Sequence, residues 1–210
     1  FNKYGLAAFY GDLGDSVFIH GVGLTPDWEQ ALEKIVNASI LPNYGPDKAL
    51  RGVFLGDEIC CHNVSCWDAA LRPVTEKLRD MLGSEAIIYT NECAANLSSL
   101  GGIPKEFDLI SVDVYAGYLP GTNGTDEVAA AQKMYEENMF PNLQPHQQVM
   151  LVPGVFACSN TTFYPLEEQS RQLVLKLEGY FEWVRRWCLP LFLHPSPVDR
   201  GSVLIVVFGL

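Results

Sequence analysis

Basic residues are scarce in this chain. Against 25 Asp and Glu stand 14 Lys and Arg, a formal net charge of −11 over 210 residues. An acidic surface repels phosphate backbones, so a general nucleic-acid binder is excluded. No apolar run reaches the roughly 18 residues a membrane span needs, and no membrane span is expected. Neither G-x-G-x-x-G nor G-x-x-x-x-G-K-[ST] occurs, which removes the usual nucleotide and dinucleotide cradles and with them the expectation of a cofactor. The C-x-x-C, H-E-x-x-H and G-x-S-x-G patterns are missing too. The four histidines, His20, His62, His146 and His194, are scattered, so no metal site is expected. With 48% hydrophobic and 19% charged residues the composition is that of a folded domain, not a disordered tail.

What is present points to the secretory route. Five Asn-x-Ser/Thr tripeptides begin at Asn37, Asn63, Asn96, Asn123 and Asn160, where chance supplies about one. These are candidate N-glycan sites of a secreted or extracellular protein. Six cysteines, Cys60, Cys61, Cys66, Cys93, Cys158 and Cys188, suit an oxidising compartment. Cys60 and Cys61 are too close to bridge each other easily; Cys66 or Cys93 is an expected partner for one of them, and the connectivity is left open by the sequence. The chain opens at Phe1 without Met or a charged leader region, and is read as a fragment of a longer protein.

Short β-like runs alternate with amphipathic helical stretches. Strands are expected at Tyr4–Tyr10, Gly52–Gly56, Ala86–Thr90, Leu109–Tyr115 and Val149–Val152. Helices are expected at Asp27–Val36, started by Thr25-Pro26, and at Ser65–Leu82, stopped by Gly83. Two more are expected near Asp126–Met139 and Leu166–Trp187. On the second helix Leu71, Val74, Leu78 and Leu82 share one face. This βα alternation predicts an α/β fold with a parallel sheet, best matched by a TIM-type (β/α) barrel. Five strands and a sixth at Val203–Phe208 do not complete eight, so about five or six barrel strands are expected here. Residues 1–187 form the partial barrel in this reading. Residues 188–210, with Pro190, Pro195 and Pro197 ahead of an apolar end, form an atypical segment that is either a last strand or an aberrant end.

Active sites of such barrels lie at the carboxyl ends of the strands. Asp57-Glu58 ends one strand after Gly56, Asn91-Glu92 ends the next, and Asp113-Val114-Tyr115 ends the third. Neighbouring residues of a regular strand point opposite ways, so Asp57 and Glu58 share a site only if the chain kinks at Gly56. Carboxylates recurring on one rim suit glycoside hydrolysis, in which one acid protonates the leaving oxygen and a second charge supports the developing cation. Glu58 is the expected general acid, with Asp57 or Asp113 as its partner and the Tyr115 hydroxyl orienting it. Asn91 or Glu92 then touches substrate, according to strand parity. Trp67, Tyr89 and Tyr118 are the aromatics placed to stack on a sugar ring.

The run Leu55-Gly56-Asp57-Glu58 resembles the strand-four ending of glycoside hydrolase barrels of the hexosaminidase and chitinase kind. The resemblance implies that Glu58 is the proton donor and that Asp57 orients the substrate's own acetamido group as nucleophile. It also implies that two strands precede Phe1, which would put Asp113 and Tyr115 on strand six. The expected function is cleavage of glycosidic bonds in an oligo- or polysaccharide. The alternative is an inactive barrel that only binds a carbohydrate or a partner.

Overall fold

The computed structural model describes residues 8–61, 63, 65–93, 103, 105–114, 124–153, 174–175, 178–179, 181–183 and 203–205. The chain divides into two compact units, Phe1–Ser111 and Val112–Leu210.

In the first unit, β1 (Ala8–Tyr10) leads into an antiparallel hairpin of β2 (Phe18–Ile19) and β3 (Gly23–Leu24). Helix α1 (Trp28–Ile35) comes next and widens into a π-helical turn, Val36–Ile40. Leu32, Val36 and Ile40 recur every four residues and are fully buried, so one continuous stripe drives both segments into the core. Thr25 does not cap this helix. Its hydroxyl donates instead to the Ser16 carbonyl (3.1 Å), tying the hairpin to the turn before it.

Strand β4 (Leu50–Asp57) pairs in parallel with β1 and with β5 (Ile87–Cys93). Between β4 and β5 runs a helix that begins with a π-helical turn, Trp67–Leu71, and continues as α2 (Arg72–Leu82). Leu71, Val74, Leu78 and Leu82, the face read from sequence, are all buried. Each such side chain contributes about 1.5–3 kcal/mol of burial. Strand β6 (Leu109–Val114) starts in this unit. Parallel pairing with intervening helices is the mixed α/β architecture that the alternation predicts. What the described residues establish is that architecture, not a closed barrel.

Charged side chains lock α2 to the segment that enters β6. The Arg79 guanidinium donates to the Asp108 carboxylate and to the carbonyls of Ala86 and Ser84 (3.0 Å for Ser84). Asp108 Oδ2 also accepts the Ile88 N–H at 2.7 Å, so one carboxylate serves both β5 and α2. Two turns earlier, Arg72 holds Asp68 and Glu106, and the hydrogen bond to Asp68 raises its already high pKa further. Glu33 on α1 binds Lys77 on α2 at 2.6 Å. Replacing Arg79 by Met should lower the stability of the chain by about 1–2 kcal/mol. The charge-assisted bonds are strong, but the pair is about a quarter exposed and partly screened. A urea titration checks this, and Arg79→Lys should recover only part of the loss, because an ammonium cannot reproduce the planar fork.

The second unit contains the end of β6, α3 (Gly124–Met134), a π-helical turn at Tyr135–Met139, β7 (Gln148–Pro153) and β8 (Val203–Ile205). β7 and β8 pair in parallel, with Met150 opposite Leu204. The Tyr135 hydroxyl is buried and donates to the Val112 carbonyl at 3.1 Å, and the Trp183 indole donates to Glu136 at 2.9 Å. Both α1 and α3 finish alike. A π-helical turn is succeeded by Leu-Pro-Asn or Phe-Pro-Asn, whose asparagine (Asn43, Asn142) donates to the carbonyl four residues back. Of the expected helix Leu166–Trp187, helical residues are described at 174–175, 178–179 and 181–183.

Candidate active site

The site is built at the carboxyl ends of β1, β4 and β5 and on the first residues of β6. Strand β4 does not stay regular to its end. Phe54 lies opposite Tyr89, yet Asp57 lies opposite Asn91, so three steps on β4 match two on β5. That extra residue is a β-bulge, and it falls at Leu55-Gly56. Gly56 has φ +155°, and a Cβ there would stand 2.7 Å from Ile59 and 2.8 Å from the Asp12 carboxylate. Only glycine accommodates both the backbone angle and the crowding.

The bulge reverses the parity of the residues after it. Without it Asp57 would share the face of Val53 and Leu55, which are fully buried. With it Asp57 joins the face of Phe54, Tyr89 and Asn91. The Asn91 amide donates to Asp57 Oδ1 at 2.5 Å, and Ser111 on β6 donates to Asn91 Oδ1. The Tyr89 hydroxyl lies 2.7 Å from Ser111 Oγ, while its ring stacks on Phe54 (centroids 4.7 Å apart) and tilts against Phe9 (5.9 Å). A polar line therefore crosses three strands above an aromatic floor.

Glu58 takes the next position and turns sharply. It has φ +48°, the one positive value at a non-glycine among the described residues. Such a conformation costs about 1–2 kcal/mol in an L-residue and concentrates at functional sites. It is held from both sides: the Glu58 N–H donates to the Asn91 carbonyl (2.8 Å), and the Glu58 carbonyl accepts from Cys61 (3.1 Å). Two disulfides then clamp the turn. Cys60 bridges Cys66 and Cys61 bridges Cys93, each with Cα atoms 5.4 Å apart. Both partners left open by the sequence are used, one by each neighbouring cysteine. The second bridge ties the residue three past Glu58 to the residue two past Asn91.

The other expected site residues are distributed unevenly. Glu92 points away from Asn91, is fully buried, and accepts the Cys60 N–H at 3.4 Å, so strand parity selects Asn91 for the rim. Trp67 is 1% exposed and packs edge-on to Phe107, within the core and not at the rim. Tyr89 is also buried, so its ring serves the floor through Phe54 and Phe9. Asp113 lies in β6, where its backbone alone is described; Tyr115 and Tyr118 lie outside the described residues, as do Asn96, Asn123 and Asn160. Asn37 is exposed on the π-helical turn after α1, whereas the Asn63 amide donates to the Gly21 carbonyl at 2.9 Å.

One rim acid is not among those expected from the strand ends. Asp12 lies two residues past β1, is exposed, and accepts the Gly14 N–H at 2.6 Å beside Gly56. Its signal is in the sequence: Phe9-Tyr10-Gly11-Asp12 repeats the Phe54-Leu55-Gly56-Asp57 pattern of strand, glycine and aspartate.

Fold and site together define a disulfide-bonded α/β protein in which acidic residues follow the carboxyl ends of parallel strands. No family model matches the chain, and no curated protein matches it. Among the described residues, no helix is long and apolar enough to cross a membrane, and no three His, Cys, Asp or Glu side chains are grouped to hold a metal ion.

Proposed function

We propose that this chain is the catalytic part of a secreted, N-glycosylated glycosidase, built as a (β/α) barrel, that hydrolyses oligosaccharides of 2-acetamido sugars. The observation that carries the reading is the bulge at Gly56, which turns Asp57 onto the Asn91 side of the sheet and leaves Glu58 in a strained turn directly after it. In the first unit the strands succeed one another as β1, β4, β5 and β6, without the reversal that marks a doubly wound nucleotide-binding sheet. That uninterrupted progression supports a barrel. The two disulfides support the oxidising compartment.

In this mechanism Glu58 donates its proton to the glycosidic oxygen as the bond to the leaving group breaks. Asp57, held at Oδ1 by Asn91, uses Oδ2 to orient the acetamido N–H. The acetamido oxygen then attacks the anomeric carbon. Asp57 Oδ2 has no hydrogen-bond partner among the described residues, and Asp57 is exposed, so substrate can reach it. Water then opens the cyclic intermediate, with Glu58 as the base that receives its proton.

The test compares chito-oligosaccharides with the corresponding gluco-oligosaccharides. The wild-type chain should cleave the acetamido series and leave the other intact. Asp57→Asn should lower turnover of the acetamido series by about 10²-fold or more. Binding of chito-oligosaccharide with no cleavage by the wild-type chain would defeat the enzymatic reading in favour of a carbohydrate-binding role.

A further inference from the structure

The hydrogen bonds that end on Asp57 have a single possible direction, and proton counting establishes it. A carboxylate only accepts, so the Asn91 group facing Asp57 must be the NH₂ (2.5 Å). Asn91 Oδ1 therefore faces Ser111 and must receive a proton from it. A serine hydroxyl has one proton, and Asn91 takes it, so at 2.7 Å the Tyr89 hydroxyl must donate to Ser111 Oγ. The order is Tyr89 to Ser111 to Asn91 to Asp57. Each donor is committed by the next, and Tyr89, Asn91 and Ser111 are all at least nine-tenths buried.

We infer that Ser111 and Tyr89 are positioning residues, which act through Asn91 to hold the Asp57 carboxylate in place for substrate. This rests on the glycosidase reading for its catalytic meaning, but the line itself can be tested without it. An asparagine amide is nearly symmetric in shape, and only its partners decide which end faces which neighbour. Removing the Ser111 hydroxyl leaves Asn91 Oδ1 buried without its donor. The NH₂ stays toward Asp57, since turning over would set an oxygen against the carboxylate, but the amide is then held from one side only and its grip on Asp57 slackens. Removing the Tyr89 hydroxyl takes a donor from Ser111 but leaves the Ser111 proton on Asn91, so its effect must be smaller. This assigns to Tyr89 a role through its hydroxyl, distinct from stacking on a sugar.

The experiment tracks the Asn91 side-chain amide by ¹H–¹⁵N spectroscopy in the full chain, alongside turnover of a chito-oligosaccharide. In the wild-type chain the amide proton that Asn91 donates to Asp57 should exchange slowly. Ser111→Ala should speed that exchange by about tenfold and Tyr89→Phe by about twofold to threefold. The same order should appear in kcat, with KM within about twofold of wild type. An Asn91 amide unchanged in Ser111→Ala overturns the inference, and so does a loosened amide with unchanged kcat. A Tyr89→Phe effect as large as that of Ser111→Ala also overturns it, since the line would not be directional. If the wild-type chain cleaves no acetamido glycoside, the glycosidase reading falls by itself, and the exchange rates alone decide whether the line holds Asp57.

Discussion

Glu58→Gln is expected to lower turnover of a chito-oligosaccharide by about 10²–10⁴-fold, the usual contribution of a positioned general acid. The substitution keeps the size and shape of the side chain. It also keeps the backbone bonds to Asn91 and Cys61, so the fold should be unaffected. An amide cannot protonate the departing oxygen, and the loss should depend on the leaving group. With a dinitrophenyl aglycone, which departs as a stable anion without a proton, most of the rate should return. A defect of equal size on both substrates would show that Glu58 does not act as the acid. Glu58→Gly provides the complementary measurement. Because φ +48° is unfavourable for glutamate, glycine should hold the turn with stability unchanged or improved by about 0.5–1 kcal/mol, while turnover is lost. Thermal unfolding and kinetics would then move in opposite directions, as expected where strain is kept for function.

Gly52→Ala should destabilise the first unit by about 3 kcal/mol. Gly52 lies in β4 between its partners, opposite Phe9 of β1 and Ile87 of β5. A Cβ built there would collide with the Ile87 carbonyl oxygen and stand 2.8 Å from its carbon. These are backbone atoms of the neighbouring strand, so no side chain can rotate away to relieve the clash. The two strands must separate, and the ladder bonds with them. For a chain of this length, that loss corresponds to a melting temperature lower by about 6–12 °C. Gly11→Ala is the matched control. No atom lies within 4 Å of its Cβ position, and stability should stay within about 0.5 kcal/mol. A near-neutral Gly52→Ala would mean that β4 and β5 do not pair in this register. The same substitution should also reduce turnover, because spreading these strands draws Asp57 away from Asn91.

Much of the architecture is legible in the sequence because its signals are local. Helix α1, expected at Asp27–Val36, spans Trp28–Ile35, since an apolar residue every three or four positions defines a face whatever lies opposite it. The strand expected at Ala86–Thr90 runs Ile87–Cys93, three residues further at its end, and of that expected at Leu109–Tyr115 the described residues Leu109–Val114 are strand. The π-helical turns at Val36–Ile40 and Tyr135–Met139 are not legible. They keep the same buried stripe while inserting a residue into the turn, and periodicity alone does not register that.

The site divides along the same line. That acids end successive strands can be read directly, and the need for a kink at Gly56 comes from side-chain alternation. Which of Asp57 and Glu58 the kink delivers to the Asn91 side cannot, because that depends on how many residues of β4 are spent against β5. Trp67 shows the converse problem: an aromatic near a strand end could face a sugar or the core, and only its packing on Phe107 decides.

The amino-acid sequence by itself determined the alternation of helix and strand, the buried face of α2, the acidic balance and the fact that acids follow successive strands. Each depends on residues a few places apart, whose geometry the backbone dictates. Only the tertiary structure decided the bulge at Gly56, the pairing of Cys60 with Cys66 and of Cys61 with Cys93, the placing of Asp12 beside Gly56, and the line from Tyr89 through Ser111 and Asn91 to Asp57. Those features join residues brought together by the register of neighbouring strands, and a shift of one residue in that register would exchange every one of their partners.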